Sequence, residues 1–316
     1  MGFINAADGG LIILLMNDPP KACQNEASGP DFSDQNQVKL KNPLIGEEFP
    51  DEAYAHIAAT LKEQQNFDLN SYKAVNMKRR LAAYLRSGNC QDPLQYSTEL
   101  TGNSEEQKQL IAALGVQVSQ FFRNPSTFMV LEKRILPELL RVSRRQNSKL
   151  RIWSVGCAHG EEPYSVALLL KKIQQKEDLV AILGTDLSHE ALKRAKSGYY
   201  PADRLKDVPA DVLQQYFTGH PHLYQIKAEI RHLVQFFRHD IISEEAFYRA
   251  DLILCRNLLI YFAREKQQQV LELLARALSP GGYLVLGRAE TLAPDCRNLF
   301  HCVDPAERIY RRTVDL

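Results

Sequence analysis

The chain has 316 residues, 45% of them apolar and 24% charged, a globular composition with room for one large or two ordinary domains. Its 39 basic and 38 acidic residues leave a formal net charge of +1, so bulk charge gives no reason to expect nucleic acid or an anionic membrane as partner. The six cysteines are scattered without a C-x-x-C pair, which argues against a disulfide framework or zinc site and for reduced thiols in a cytoplasm.

Residues 1–48 hold Asp, Asn, Pro, Gly, Ser and Gln in no periodic order, as expected of a disordered or loosely attached extension. The apolar run Leu11 to Met16 is too short to span a bilayer and lacks a basic flank, so no signal peptide or membrane insertion is expected. From Asp51 to about Leu114 the spacing is helical: Tyr54, Ile57, Ala58 and Leu61 share one face, and Tyr72, Val75, Tyr84 and Leu85 are set similarly. The second helix is expected to carry Lys73, Lys78, Arg79, Arg80 and Arg86. Such a run is ordinarily a solvated face, and its functional alternative is a docking surface for an acidic protein helix. The domain boundaries expected are therefore 1–48, a helical domain at 49–114, and a sheet domain at 115–316.

The segment joining the last two holds Phe121 and Phe122, then Arg123, whose guanidinium either packs along its stem or meets a carboxylate. Arg151 to Val155 then reads as a strand, Gly156 to Gly160 as a tight turn, and the apolar run after Pro163 as a helix. The spacing Gly156-x-x-x-Gly160 departs from the dinucleotide fingerprint, and Glu161 and Glu162 at the helix start would repel a phosphate. They suit a positively charged ligand such as S-adenosylmethionine, or merely cap the helix. Leu179 to Asp186 is a second strand ending in a carboxylate, the position from which ribose hydroxyls are held, although Asp186 is also placed to cap the next helix.

Residues 189–217 read as helices broken at Ser-Gly-Tyr-Tyr-Pro. Leu223 to Ile226 and Leu233 to Phe237 read as short strands of an inserted β-subdomain, about 206–236. The nearby histidines have no ligand spacing, and no metal is expected. Ala250 to Cys255 is a buried strand that delivers Arg256 and Asn257 to its carboxyl end. Arg264 to Leu278 is an amphipathic helix, Tyr283 opens another strand, and Ala306 to Arg311 suits a last antiparallel one.

Five stretches together resemble the chemotaxis receptor methyltransferases (CheR): Ser119-Gln-Phe-Phe-Arg123, Trp153-Ser through Gly160-Glu-Glu-Pro-Tyr-Ser165, Asp186, Ala195-Lys-Ser-Gly-Tyr199, and Cys255-Arg-Asn-Leu-Leu-Ile-Tyr-Phe262. The resemblance runs from about Tyr54 to the C-terminus. It implies an α/β, Rossmann-like class I methyltransferase sheet with a small inserted β-subdomain, preceded by an all-α receptor-recognition domain. It also implies methyl transfer from S-adenosylmethionine to glutamate side chains of methyl-accepting chemotaxis receptors, with S-adenosylhomocysteine as product. Gln117, Ser119, Arg123, Gly156, Glu162, Asp186, Asp240, Ile241, Arg256 and Asn257 would touch the cofactor; Arg123 and Tyr261 would orient the glutamate. With a receptor as partner, the five cations of the second helix become its docking surface. Gln117 stands where the family commonly has Asn and Ser119 where it has Thr, both keeping hydrogen-bonding chemistry. The loop after Phe217 lacks the Gly-x-Gly insertion that grips a receptor's C-terminal pentapeptide, so a tether-independent, cytoplasmic, monomeric enzyme is expected. The alternatives are the same chemistry on another signalling receptor, and a non-catalytic protein that senses the cofactor; a nicotinamide-dependent oxidoreductase is disfavoured by the missing third glycine.

Overall fold

The computed structural model describes residues 49–88, 90, 92–115, 119–173, 179–246 and 248–313. The expected extension at 1–48 and the expected cofactor contact Gln117 lie outside the described residues. Among the described residues two compact units are present: one runs to Leu69 and resumes at Val75–Leu114, the other takes Asn70–Ala74 and the chain from Gly115 onward.

The first unit holds four helices, α1 (Asp51–Gln65), α2 (Ala74–Ser87), α3 (Pro93–Glu99) and α4 (Ser104–Leu114). On α1, Ala53, Tyr54, Ile57, Ala58 and Leu61 are buried at helical spacing. Asp92 caps α3 by accepting from Leu94 and Gln95 N–H, and Pro93 fills the first turn. Buried Glu106 of α4 is held by two tyrosine hydroxyls, which donate to its Oε1 from Tyr84 at 3.1 Å and Tyr96 at 2.8 Å. The second helix departs from expectation. It starts at Ala74, so Lys73 precedes it, and its buried face is Met77, Leu81, Ala82, Tyr84 and Leu85. Val75 is 64% exposed, and Tyr72 packs edge-on against Phe262 in the second unit, with ring centroids 5.4 Å apart. Residues at a helix start share the periodicity of the helix without sharing its face.

The second unit begins with α5 (Pro125–Val130), a π-type turn at Leu131–Ile135, and α6 (Leu136–Arg145). Then follow β1 (Leu150–Val155), α7 (Glu161–Lys172), β2 (Val180–Asp186), α8 (His189–Ser197), β3 (Tyr199–Pro201), α9 (Ala210–Tyr216), β4 (Phe217–His220), β5 (Leu223–Ile226), α10 (Ala228–Arg231) and β6 (Val234–Arg238). The chain ends with β7 (Ala250–Cys255), α11 (Arg264–Ala277), β8 (Leu278–Leu286), β9 (Phe300–Asp304) and β10 (Ile309–Arg312). Seven strands form one sheet in the order β6-β2-β1-β7-β8-β10-β9; the first five lie parallel and β10 runs antiparallel to both neighbours. Helices cover both faces, so alternate β1 residues enter separate cores: Leu150 and Ile152 one, Trp153 and Val155 the other. The winding reverses between β1 and β7, which opens a crevice at their carboxyl ends.

The insertion differs from expectation. Its sheet, ordered β3-β5-β4, starts at Tyr199, inside the stretch read as a helix break. Residues 234–238, expected within the insertion, instead form the edge strand of the large sheet, pairing Ile182 with Val234 through Asp186 with Arg238. A short alternating strand declares its period but not its partner. β9 was not anticipated at all. Among the described residues no helix is long and apolar enough to cross a membrane.

Candidate functional site

β1 enters the crevice at Gly156, and the turn it makes needs left-handed backbone: φ is 66° at Gly156, 48° at Ala158 and 89° at Gly160. A side chain at Gly160 would also put its Cβ 3.0 Å from both Ala195 Cβ and Phe236 Cζ, so glycine permits the close approach of α7. The loop is fastened to the end of β2. Cys157 N–H donates to the Thr185 carbonyl at 2.9 Å, and Ala158 N–H donates to Asp186 Oδ2 at 2.9 Å. The other carboxylate oxygen accepts from Ser188 N–H at 2.9 Å. Burial raises the Asp186 pKa, opposed by backbone donors from Ser188, Ala158 and Leu187.

Glu162 and Arg256 tie the two sides of the crevice together. Glu162 Oε1 accepts from the Ser154 hydroxyl at 2.8 Å and Oε2 from Arg256 Nη1 at 3.2 Å. The Arg256 side chain is 2% exposed; Nη2 donates to the Arg123 carbonyl at 2.6 Å and to Asn124 Oδ1 at 3.0 Å, and the guanidinium lies 5.3 Å from the Phe128 ring centre. This expected cofactor contact is thus also the clamp that holds the Phe121–Asn124 turn against β1 and α7. Asn257 has φ 59°, and its N–H donates to Glu290 Oε2 at 2.9 Å. Glu290 also accepts from Gly287 and Ile260 N–H and so ties the turn after β7 to the loop after β8. Sequence reasoning missed it; the available signal was an acid three residues after Gly287, the glycine that follows β8. Tyr261 closes a 3-10 turn, Leu259–Tyr261, and its carbonyl accepts from Lys73 N–H at 2.9 Å.

Ser119 and Arg123 flank a segment stitched to the insertion. Arg204 donates to the Ser119 carbonyl, Phe121 N–H donates to the Arg204 carbonyl at 3.1 Å, and Gln120 Nε2 donates to Asp207 at 2.5 Å. Beneath it lies Glu161, fully buried, whose carboxyl is pushed up to about 7 by burial. His159, held down at about 4 by burial and by Arg194 and Arg204, is neutral at physiological pH. Asp240 is occupied in its own turn, accepting from Ile242 N–H at 3.0 Å and the Ser243 hydroxyl at 2.7 Å, and Ile241 is buried in the second core. His239 N–H donates to the Asp186 carbonyl at 3.1 Å, which sets this turn beside the end of β2.

The helical unit carries the remaining expected residues. Lys78 pairs with Asp51 and Arg80 Nη1 donates to the Leu114 carbonyl at 2.6 Å, while Arg79 and Arg86 are exposed. Lys73 belongs to the other compact unit, so the five cations do not form one helix face.

Burial pushes the Cys157 and Cys255 thiols well above their ordinary range, so neither is a thiolate nucleophile. Among the described residues no group of three or more His, Cys, Asp or Glu is placed to hold a metal ion. What remains is a glycine turn, anchored carboxylates at Asp186 and Glu162, and a further buried carboxyl at Glu161. That set fits an adenosine-bearing ligand of positive charge. Sheet order and site together define a class I methyltransferase that uses S-adenosylmethionine.

Comparison with known proteins narrows the class. The chain matches the CheR methyltransferase SAM binding domain over residues 117–309 and the CheR methyltransferase all-alpha domain over residues 52–114. It is 34% identical over 239 residues to a chemotaxis protein methyltransferase of Listeria innocua, covering 76% of this chain and 90% of that one. It is 33% identical to the Listeria monocytogenes protein of the same name, with the same coverage. Among solved structures, PKMT2 from Rickettsia typhi in complex with AdoHcy matches with a TM-score of 0.29 and 18% identity, over 44% of this chain and 20% of that one. The chain belongs to the CheR methyltransferase family.

Proposed function

We propose that this enzyme methylates glutamate side chains in the cytoplasmic helical domain of methyl-accepting chemotaxis receptors, giving glutamate methyl esters. The observation that carries the reading is the acid-lined crevice at the switch point, where Asp186 and the Glu162–Arg256 pair flank the glycine turn. Chemotaxis methyltransferases among its relatives support the choice of receptor. When bound, S-adenosylmethionine supplies an electrophilic sulfonium methyl. The substrate carboxylate is already ionised near neutral pH, and one of its oxygens takes the methyl as the S–C bond breaks; no side chain has to remove a proton. The protein's contribution is positioning, which is worth ~7–11 kcal/mol when the reacting atoms are held in line.

In this reading Asp186 accepts from ribose hydroxyls. Gln117, Ser119 and Asn257 supply further polar contacts, and Arg123 and Tyr261 orient the glutamate. Arg123 also borders the cofactor, so Arg123→Ala should fold and lose turnover; full turnover in a folded variant would remove it from the site. The β4–β5 hairpin turns through only Pro221 and His222, which supports independence from a receptor pentapeptide. Measurable affinity for such a peptide would refute that independence. The deciding experiment is transfer of a labelled methyl group to receptor-containing membranes followed by mild alkali. Base-labile label in a receptor band is expected; cofactor binding with no transfer to any receptor preparation would leave a sensor rather than an enzyme.

A further inference from the structure

Glu161 opens α7 directly after the glycine turn and is fully buried, yet neither of its carboxyl oxygens accepts a hydrogen bond of good geometry. A carboxyl in that state is costly, whether neutral with idle lone pairs or ionised without a partner. The adjacent acid is different: Glu162 is already neutralised by Arg256 and bonded by Ser154. Glu161 is therefore the acid at this helix start whose charge is uncommitted.

The groups around it come from several elements. Its own backbone N–H, then Arg204 from the 3-10 turn after β3 and Ser119 from the segment leading to Arg123, favour its ionised form; Asp203 on the same turn opposes it. His159 Nδ1 lies 4.0 Å from Oε1. Tyr200 of β3 and Cys157 of the glycine turn also feel its charge, and Arg194 of α8 acts on His159. The helix N-terminus favours a carboxylate, and burial outweighs all of these.

We propose that Glu161 is a proton-linked positioning residue of the cofactor site, half-protonated in the free protein at neutral pH and ionised when the cationic cofactor occupies the crevice. The inference rests on S-adenosylmethionine binding there. The O–H bond of Glu161 breaks and the proton passes to the buffer. The Ser119 hydroxyl, which serves as acceptor to the protonated acid, becomes donor to the carboxylate. That reversal holds Ser119, and with it the segment reaching Arg123, in the orientation that receives the ligand. Binding and ionisation are then reciprocal, so affinity falls as protons compete.

Calorimetric titration of the full chain with S-adenosylmethionine, in buffers of different ionisation enthalpy, tests this. At pH 7 the wild type should release about half a proton per cofactor, and affinity should rise about tenfold from pH 6 to pH 8. Glu161→Gln should bind without proton release at pH 7 and keep only the shallow slope above about pH 7.5 that the cofactor's own α-amino group gives both proteins, and Glu161→Asp should restore the wild-type behaviour. His159, held near 4, and the buried Cys157 thiol, held high, do not titrate in this window. Wild-type binding without proton release overturns the proposal, as does an unchanged slope in Glu161→Gln. If Glu161→Gln fails to fold, the wild-type proton count decides alone. Absence of cofactor binding at every pH would instead overturn the site assignment.

Discussion

Arg256→Met keeps an unbranched apolar stem and removes the guanidinium, so it tests the buried pair with Glu162. The side chains are 2% and 13% exposed, which places the pair where water screens little. Without Arg256, the Glu162 carboxylate keeps the Ser154 hydroxyl as its one remaining donor among the contacts described above, and stranding one partner of a buried pair costs about 3–5 kcal/mol. The bonds to the Arg123 carbonyl and Asn124 vanish as well, along with the guanidinium over Phe128, but these share one group and do not simply add. The expected loss is about 4 kcal/mol for Arg256→Met and about 2 kcal/mol for Glu162→Gln, and the double variant should recover about 2 kcal/mol of their sum. Urea unfolding read by tryptophan fluorescence measures this cleanly, because the single tryptophan of the chain, Trp153, is buried in β1 of the sheet unit. A coupling below about 0.5 kcal/mol, the range of solvent-exposed pairs, would refute the clamp; so would a coupling that disappears at high salt.

Gly160→Ala adds a left-handed alanine with its Cβ 3.0 Å from Ala195 and Phe236, and should cost about 3 kcal/mol with a marked loss of cofactor affinity; a melting curve close to wild type would sink that account. In the helical unit, Tyr96→Phe leaves Glu106 without its 2.8 Å donor and should cost about 1–2 kcal/mol. That loss is to be read as faster hydrogen exchange along α4, and unchanged protection would contradict it. His159 has its pKa lowered to about 4, so the stability it contributes is complete above about 6.5 and is lost as pH falls toward 4, by ~3 kcal/mol in all. The stability difference between wild type and His159→Gln should shrink along that limb, and a constant difference would show that His159 is not buried neutral.

Periodicity and glycine placement make β1, β2, β7 and β8, the turn from Gly156 to Gly160 and the helical unit legible in the sequence. What stayed hidden depends on partners distant in sequence. Val234–Arg238 alternates like any edge strand, and only its register with Ile182–Asp186 assigns it to the large sheet rather than to the insertion. Arg256 was read as a ligand contact because it follows a strand; its partners Glu162 and Asn124 lie 94 and 132 residues away, and spacing alone cannot reveal a pairing of that kind. Glu290 is hard to single out for a related reason: two of its bonds go to the backbone of Asn257 and Ile260, 33 and 30 residues away. Phe300–Asp304 is a sheet-edge strand with exposed His301 and Cys302, too polar to announce itself.

The insertion looks like a detachable module, being a small sheet looped out between β2 and β6, but its fastenings say otherwise. Phe121 packs its ring against Tyr200 and Phe217 of that module, at centroid distances of 4.8 and 5.3 Å, while Arg204 and Asp207 hold the backbone and side chain of residues 119 and 120. Grafting this module between relatives would therefore also disturb the segment that leads to Arg123. The small sheet and residues 119–121 therefore hold one another in place, and a change on either side of that seam is felt on the other.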